Sequence, residues 1–276
     1  MFEYDFMQRA LLAGIFLSLT IPLIGVVMVS RKTSMLGEAM SHVSLAGVGL
    51  GLVFGFSPVL GAVGICILAG LSIERVRKRF LGYGDMATAI VTSVGLGLAA
   101  IISNFLPSGS SLESYLFGSI ASVSLWDVIV SFVIFILVGS YSIIYYTALA
   151  NLAISESFAY ILGVNVKVVS TLYTILAALT VAMAAKMIGA LLVSSLIVLP
   201  VVSALCLAKS YRSMLFLTTG FGMFYMMSGL VLSYYVEISP GGAVVSIALF
   251  SLGLLTLGRK NHQRLNNPTK RWFFLL

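Results

Sequence analysis

Charged residues are scarce in this sequence of 276 residues. Only 9% of them are Asp, Glu, Lys or Arg, whereas 60% are hydrophobic. A soluble domain averages about 25% charged residues, so a soluble globular fold is excluded. Apolar runs of roughly 17–25 residues recur instead, each long enough to cross a bilayer core of about 30 Å. A transmembrane barrel would show short strands of alternating polarity, so the composition predicts an all-α polytopic membrane protein.

Cysteine and the common catalytic motifs are also scarce or missing. Cys66 and Cys206 both lie in apolar runs, so they imply no disulfide framework and are expected as small packing residues. The sequence has no G-x-x-x-x-G-K-[ST] loop, H-E-x-x-H or G-x-S-x-G motif, so neither ATP binding by that loop nor hydrolysis is indicated. A transport function needs only a polar path through the apolar runs.

Nine runs are predicted as transmembrane helices of a single domain, 1–276, with a short polar tail at 259–276. The sixth and seventh are separated only by "AKMIG", so the count could be eight. The predicted spans cover 10–30, 36–55, 57–73, 86–106, 124–148, 168–185, 188–207, 213–235 and 241–258.

The net charge of +7 is distributed in a pattern typical of membrane topology. With nine spans, nearly all basic residues fall in loops on one side, and only Arg9 and Lys186 fall on the other. Cytoplasmic loops collect Lys and Arg, so the amino terminus is predicted outside and the carboxyl terminus in the cytoplasm. No soluble basic face exists for nucleic acid, which is therefore excluded as a partner.

One glutamate and one histidine lie within the second predicted span. Glu38 and His42 are four residues apart and share one helix face, while Gly47, Gly51 and Gly55 lie roughly opposite and suit close helix packing. Glu38 could merely cap the helix and His42 could bond a neighbouring helix, but ionisable residues inside a membrane are costly and are usually functional. Carboxylate and imidazole suit zinc, manganese or ferrous iron, and a twofold dimer would supply four ligands.

A stretch that contains proline is also informative. In "GALLVSSLIVLPVVSALCLA", Pro200 interrupts a predicted helix and frees a carbonyl that Ser194, Ser195 or Ser203 could satisfy. An ordinary proline kink is the alternative.

The stretch "NLAISESFAYILGVNVKVV" (151–169) is amphipathic and is predicted on the cytoplasmic side. Ile154, Phe158, Ile161 and Leu162 recur at helical spacing, and Gly163 suits the end of a helix. A partner domain could push against such a helix, although an interfacial helix without a partner has the same pattern.

Several motifs in order resemble the permease subunits of bacterial zinc/manganese/iron ABC importers, whose type II fold is similar to that of the vitamin B12 permease. "MLGEAMSHVSLAGV" is similar to the family's G-[DE]-x-[LIM]-[SA]-H-x-x-L-x-G-[VI] signature. "SYLFGSIASVS" (114–124) is similar to its L-F-G-[SD] loop, and "GALLVSSLIVLP" to its segment ending in proline. Two departures are Glu38, where most relatives carry aspartate, and Pro200-Val201-Val202 in place of P-A-A.

The resemblance implies a permease in the bacterial cell membrane that is not itself an enzyme. Glu38 and His42 would form a mid-membrane metal site in a homodimer, with no permanently bound cofactor. A coupling helix at about 153–163, with Glu156, Ala159 and Gly163, would contact a separate cytoplasmic ATPase. An extracellular metal-binding protein would deliver the ion to outer loops that carry Glu113, Glu237, Arg9 and Lys186.

"YDFMQRALLAG" and "SHVSLAGV" look closer to Gram-positive zinc permeases, since manganese and iron members more often read "SHAVLPGV". Zinc is therefore the favoured ion and manganese the second. A proton-coupled secondary cation transporter that uses Glu38 and His42 as a relay is the alternative from another class, and it would work without any ATPase.

Overall fold

A computed structural model describes residues 5–79, 84–106, 112–118 and 123–263, and these form twelve α-helices. They are α1 (Asp5–Ser30), α2 (Ser34–Phe54), α3 (Pro58–Arg79), α4 (Gly84–Ser103), α5 (Glu113–Phe117), α6 (Leu125–Ile144), α7 (Tyr146–Ile154), α8 (Glu156–Ile161), α9 (Val166–Ile188), α10 (Ala190–Leu205), α11 (Tyr211–Val236) and α12 (Pro240–Gln263).

Eight of the helices in the described part of the chain are long and apolar enough to cross a membrane. The seventh predicted span, 188–207, corresponds to α10, which has 16 residues. The predicted count of eight to nine is therefore confirmed. The prediction that "AKMIG" separates two spans is wrong, because α9 continues to Ile188. Only Gly189, at φ 100°, separates α9 from α10. A positive φ of this size is open to glycine without strain.

Four helices form the interior of the bundle and the others surround them. More than half of α1, α2 and α9 is buried, and α10 packs against all three. By contrast, α4, α6 and α12 expose most of their apolar surface. Apolar residues face outward on these helices because the surrounding solvent is hydrocarbon. Helix α2, which carries Glu38 and His42, lies in the interior layer.

Glycines let α2 and α3 approach backbone to backbone. A Cβ added at Gly47 would overlap the Gly61 carbonyl oxygen, and one added at Gly51 would lie 2.7 Å from Cα of Pro58. The predicted close packing opposite His42 is confirmed at these two positions. It is wrong for Gly55, which caps α2 in the left-handed conformation at φ 72° with nothing near a Cβ there.

Each end of the bundle has an ion pair between helices. At one end, Arg31 after α1 and Arg77 of α3 both donate to Glu156 of α8, and Arg31 also donates to Ser170 of α9. We call this the basic end. At the opposite end, Lys186 of α9 meets Asp127 of α6.

Candidate metal site and its surroundings

Glu38 and His42 lie on successive turns of α2, about 6 Å and 12 Å along the axis from Ser34. The Glu38 Oε1 and His42 Nε2 atoms are 4.0 Å apart, which is beyond hydrogen-bond distance. The Glu38 side chain is 47% exposed and that of His42 15% exposed. The Nδ1 atom of His42 is buried without a hydrogen-bond partner among the described residues. The two side chains therefore make no hydrogen bond to each other, and Glu38 stays half-exposed.

The first turn of α2, just before this pair, packs against α10. A Cβ at Gly37 would lie 2.9 Å from the Ile197 side chain, so the two helices touch one residue before Glu38. Because α10 runs antiparallel to α2, Ser194 lies about 4.5 Å farther from the basic end than Ile197, near the depth of His42. Ser194 and Ser195 are half-buried on α10.

One chain offers too few ligands for a closed metal site. Within the described ranges, no group of three or more His, Cys, Asp or Glu side chains could hold a metal ion. A structural zinc takes four protein ligands. Glu38 and His42 alone therefore do not make up a complete ligand set.

Pro200 does not interrupt α10, contrary to the sequence-based prediction. The helix continues from Ala190 to Leu205 with Pro200 buried inside it, and the chain breaks at Gly189 instead. The Ser203 hydroxyl donates to the Leu199 carbonyl, rather than to the Leu196 carbonyl whose partner proline removes. Ser203 also accepts a hydrogen bond from Tyr225 at 2.9 Å, so this serine ties α10 to α11.

The amphipathic stretch at the basic end forms two helices rather than one. Ala153 and Ile154 end α7, and extended Ser155, at φ −165°, separates them from α8. The predicted helix of about 153–163 therefore begins late, at Glu156. Its end is as predicted, because Gly163 takes φ 78°.

The turn after α8 has the two hydrogen bonds of a Schellman motif: Val164 N–H donates to Ala159 O at 3.1 Å, and Gly163 N–H donates to Tyr160 O at 3.0 Å. Ala159 is fully buried, whereas Tyr160 and Ile161 are 75% and 79% exposed. The outward side of α8 is therefore apolar and left open by the described residues.

Glu156 is held by two arginines from different helices. Arg31, at the end of α1, and Arg77, in α3, both donate an Nη2 hydrogen bond to Glu156 Oε1. Sequence reasoning assigned both arginines only to the positive-inside pattern. Arg31 and Arg77 lie 125 and 79 residues from Glu156 in the sequence. No short-range sequence pattern could therefore predict these contacts.

A second ion pair missed from the sequence lies at the opposite end. Lys186 Nζ donates to Asp127 Oδ2 at 2.6 Å, and their side chains are 15% and 7% exposed. The Ser124 hydroxyl and N–H both donate to the same carboxylate oxygen at 2.8 Å. Burial raises the pKa of nearby Tyr115 above its ordinary value, and the Asp127 charge adds to that rise. Lys186 is thus engaged inside the chain, contrary to its expected place in a loop that meets a binding protein.

Comparison with known proteins identifies the fold and its class. The family described as "ABC 3 transport family" matches residues 3–257. The chain belongs to this family. A "probable metal transport system membrane protein" of Treponema pallidum is 33% identical, covering 94% of this chain and 99% of the relative. The zinc uptake membrane protein ZnuB of Haemophilus influenzae is 31% identical over 91% of this chain and 97% of its own length.

Relatives with other names and solved structures extend the match. The manganese transport membrane protein MntC of Listeria innocua is 29% identical over 89% of this chain and 88% of its own length. A solved chain of PsaBC from Streptococcus pneumoniae matches with a TM-score of 0.84 and 25% identity over 96% of both chains. The fold is that of a type II ABC importer permease, as predicted.

Family membership confirms several predictions together. The protein is the multi-span permease of a metal ABC importer of the plasma membrane, it is not an enzyme, and the ATPase is a separate subunit. An ATPase and a substrate-binding protein are therefore its partners. Relatives named for zinc and for manganese both occur.

Proposed function

We propose that this permease passes a divalent metal ion inward along a path lined by Glu38 and His42, with zinc as the preferred ion and manganese second. The observation that supports this most is the open pair itself. A half-exposed carboxylate and an imidazole with an unpartnered Nδ1 face the same side of an interior helix. Such groups are costly within a membrane unless they serve a ligand.

A second copy of the chain completes the ligand set. A twofold axis beside the open face of α2 would bring two Glu38 and two His42 side chains together. Four nitrogen and oxygen ligands suit zinc and also tolerate manganese. Ser194 and Ser195 on α10, and the buried Pro200 one to two turns further along, would line the same path. Transport requires release, so this site should hold the ion weakly.

Zinc is favoured over manganese on the chemistry of the ligands. Imidazole suits zinc better than manganese, which prefers carboxylate, carbonyl and water. The stretch "SHVSLAGV" also looks closer to zinc permeases, and ZnuB is among the relatives. Manganese stays the second candidate because MntC is nearly as similar.

The basic end would face the cytoplasm, with the amino terminus outside, since basic residues collect in cytoplasmic loops. There, α8 would dock on the ATPase through its exposed apolar residues Phe158, Tyr160 and Ile161. Glu156 would hold the start of α8, buried Ala159 would seat it, and Gly163 would set its end. A metal-binding protein would deliver the ion at the opposite end.

Uptake by the complete complex tests this function. The permease, its ATPase and the loaded binding protein are placed in proteoliposomes, and radioactive zinc uptake is measured with and without ATP, then with manganese as competitor. We expect His42→Ala to abolish ATP-driven uptake while the complex stays assembled.

The matched control is His262→Ala, which removes the other histidine of the chain and should leave uptake unchanged. Wild-type uptake by His42→Ala would contradict the metal-site assignment. ATP-independent uptake by the permease alone would favour the proton-coupled alternative.

A further inference from the structure

A group of charged and hydroxyl side chains at the basic end joins α8 to the helices around Glu38 and His42. Glu156 is the first residue of α8, and Ala159 is the buried residue of that helix. The attachment of α8 to the bundle at its first turn therefore depends on the two arginines that meet Glu156 Oε1. These come from different helices, so any displacement of Glu156 acts on both.

Arg31, which directly follows α1, links that helix to both α8 and α9. Its Nη1 donates to Ser170 Oγ of α9 at 3.2 Å, while its Nη2 donates to Glu156. The side chain is only 5% exposed, and its Nε atom is buried without a partner in the described part of the chain. A planar guanidinium can bridge two acceptors in this fixed geometry, which a lysine ammonium cannot reproduce.

A tight turn connects Arg31 to the metal-site helix. Lys32 takes a positive φ of 56°, and the Thr33 N–H and hydroxyl both donate to Met28 O. Helix α2 begins at Ser34, so Glu38 lies about one helical turn into α2. A turn this short transmits a shift of Arg31 to the start of α2.

Arg77 connects Glu156 to α2 indirectly, through α3. It lies in α3, which packs on α2 through the glycine contact of Gly47 and Gly61. Glu156 therefore holds, through two arginines, both the start of α2 and the helix packed against it.

A second carboxylate, which unlike Glu156 is buried, lies beside the two arginines. Glu74 is 6% exposed and accepts a hydrogen bond from Thr174 at 3.0 Å. Arg31, Arg77 and Glu74 line one small cavity of about 10 Å³, and the Glu74 charge interacts with Arg77. The arginines thus have two carboxylates, Glu156 and Glu74, in one cluster. Side chains with two alternative partners suit a group that switches between two discrete arrangements.

We propose that Arg31 and Arg77 are positioning residues that transmit the movement of α8 to the Glu38–His42 site through Glu156. The ATPase moves α8 during its cycle, and the arginines carry that movement to α2. This inference rests on the proposed function, because it takes α8 as the ATPase contact and Glu38 and His42 as the metal site.

The test measures zinc transported per ATP hydrolysed by the complete complex in proteoliposomes. We expect Arg31→Lys, which keeps the charge, and Arg77→Met to lower this ratio by about tenfold, with the ATPase still bound and still hydrolysing ATP. Arg75→Met is the matched control, since Arg75 is exposed on the same helix as Arg77, and its ratio should equal that of the wild type.

Two results would overturn the inference while the proposed function stands. One is an unchanged ratio in both arginine variants. The other is loss of the ATPase from both, so that uptake and hydrolysis fall together, which would make the arginines assembly contacts. Absence of ATP-driven uptake by the wild type would overturn the proposed function and this inference with it.

Discussion

Asp127 and Glu38 each face a basic side chain, and they do so in opposite ways. Asp127 Oδ2 lies 2.6 Å from Lys186 Nζ and accepts two further hydrogen bonds from Ser124. Glu38 Oε1 lies 4.0 Å from His42 Nε2, and nearly half of its side chain is exposed. The first pair is closed by the chain itself, whereas the second is open.

The difference separates a pair that the chain itself satisfies from one that it does not. A buried charge is tolerated when a partner and hydrogen bonds satisfy it, and Asp127 and Lys186 meet that condition. Glu38 and His42 do not, although they also lie on a membrane-spanning helix. The sequence singled out Glu38 and His42 and placed Lys186 in a loop, but only the geometry shows that Lys186 and Asp127 satisfy each other.

The largest effect on uptake is expected at the open pair. Glu38→Gln keeps the shape and removes the charge, so uptake should fall by about 100-fold at an unchanged apparent unfolding temperature. Proteoliposome uptake and thermal unfolding in detergent measure the two quantities. Asp85→Asn, at an exposed position of α4, is the control and should retain uptake. Near-normal uptake by Glu38→Gln would place the pair among the structural ones.

Substitution within the closed pair, Asp127 and Lys186, should lower the stability of the protein rather than its transport activity. Lys186→Met leaves the buried Asp127 carboxylate without its cation, which costs about 3 kcal/mol or more. The apparent unfolding temperature should drop, and uptake should fall only as far as the amount of folded protein falls.

A double variant gives the control for this pair. Lys186→Met combined with Asp127→Asn removes both charges, so it should be more stable than Lys186→Met alone. Equal stability of the single variant and the wild type would show that the ion pair contributes little. Full yield with lost uptake in Lys186→Met would instead assign Lys186 to transport.

The sequence predicted features that depend on neighbours along one helix. Span positions, the packing of Gly47 and Gly51 and the helix end at Gly163 all follow from periodicity and backbone preference. The contacts of Lys186 with Asp127 and of Arg31 with Glu156 join residues 59 and 125 positions apart. Such pairs depend on how helices assemble, which no local pattern records.

Local predictions were wrong where two signals competed. Proline normally ends a helix, but α10 accommodates Pro200 within its length and breaks at Gly189. Ile154 fits the apolar period of α8, yet it belongs to α7 because Ser155 is extended. In both cases a single backbone conformation outweighed a periodic pattern.

A smaller effect is expected at the end of α8. Gly163 has φ 78° and nothing within 4 Å of a Cβ, so a substitution there meets strain but no clash. Gly163→Val should cost about 1–2 kcal/mol and reduce ATPase stimulation by the loaded binding protein severalfold. Gly163→Asn is the matched control, since asparagine tolerates this conformation, and it should retain most of the stimulation. Equal stimulation in both variants would argue that the turn does not set the ATPase contact.

The smallest effect is expected from Glu38→Asp, and it compares the two pairs directly. Removing one methylene from an open, half-exposed ligand leaves room for the ion to shift, so uptake should stay within about threefold of the wild type. The reciprocal change, Asp127→Glu, adds one methylene to a closed pair at 2.6 Å from Lys186, and overpacking there should cost about 1–3 kcal/mol. Uptake kinetics for the first variant and thermal unfolding for the second measure these effects. If Glu38→Asp lost uptake while Asp127→Glu unfolded like the wild type, the pair at Glu38 would be the rigid one and the distinction between the two carboxylates would be reversed.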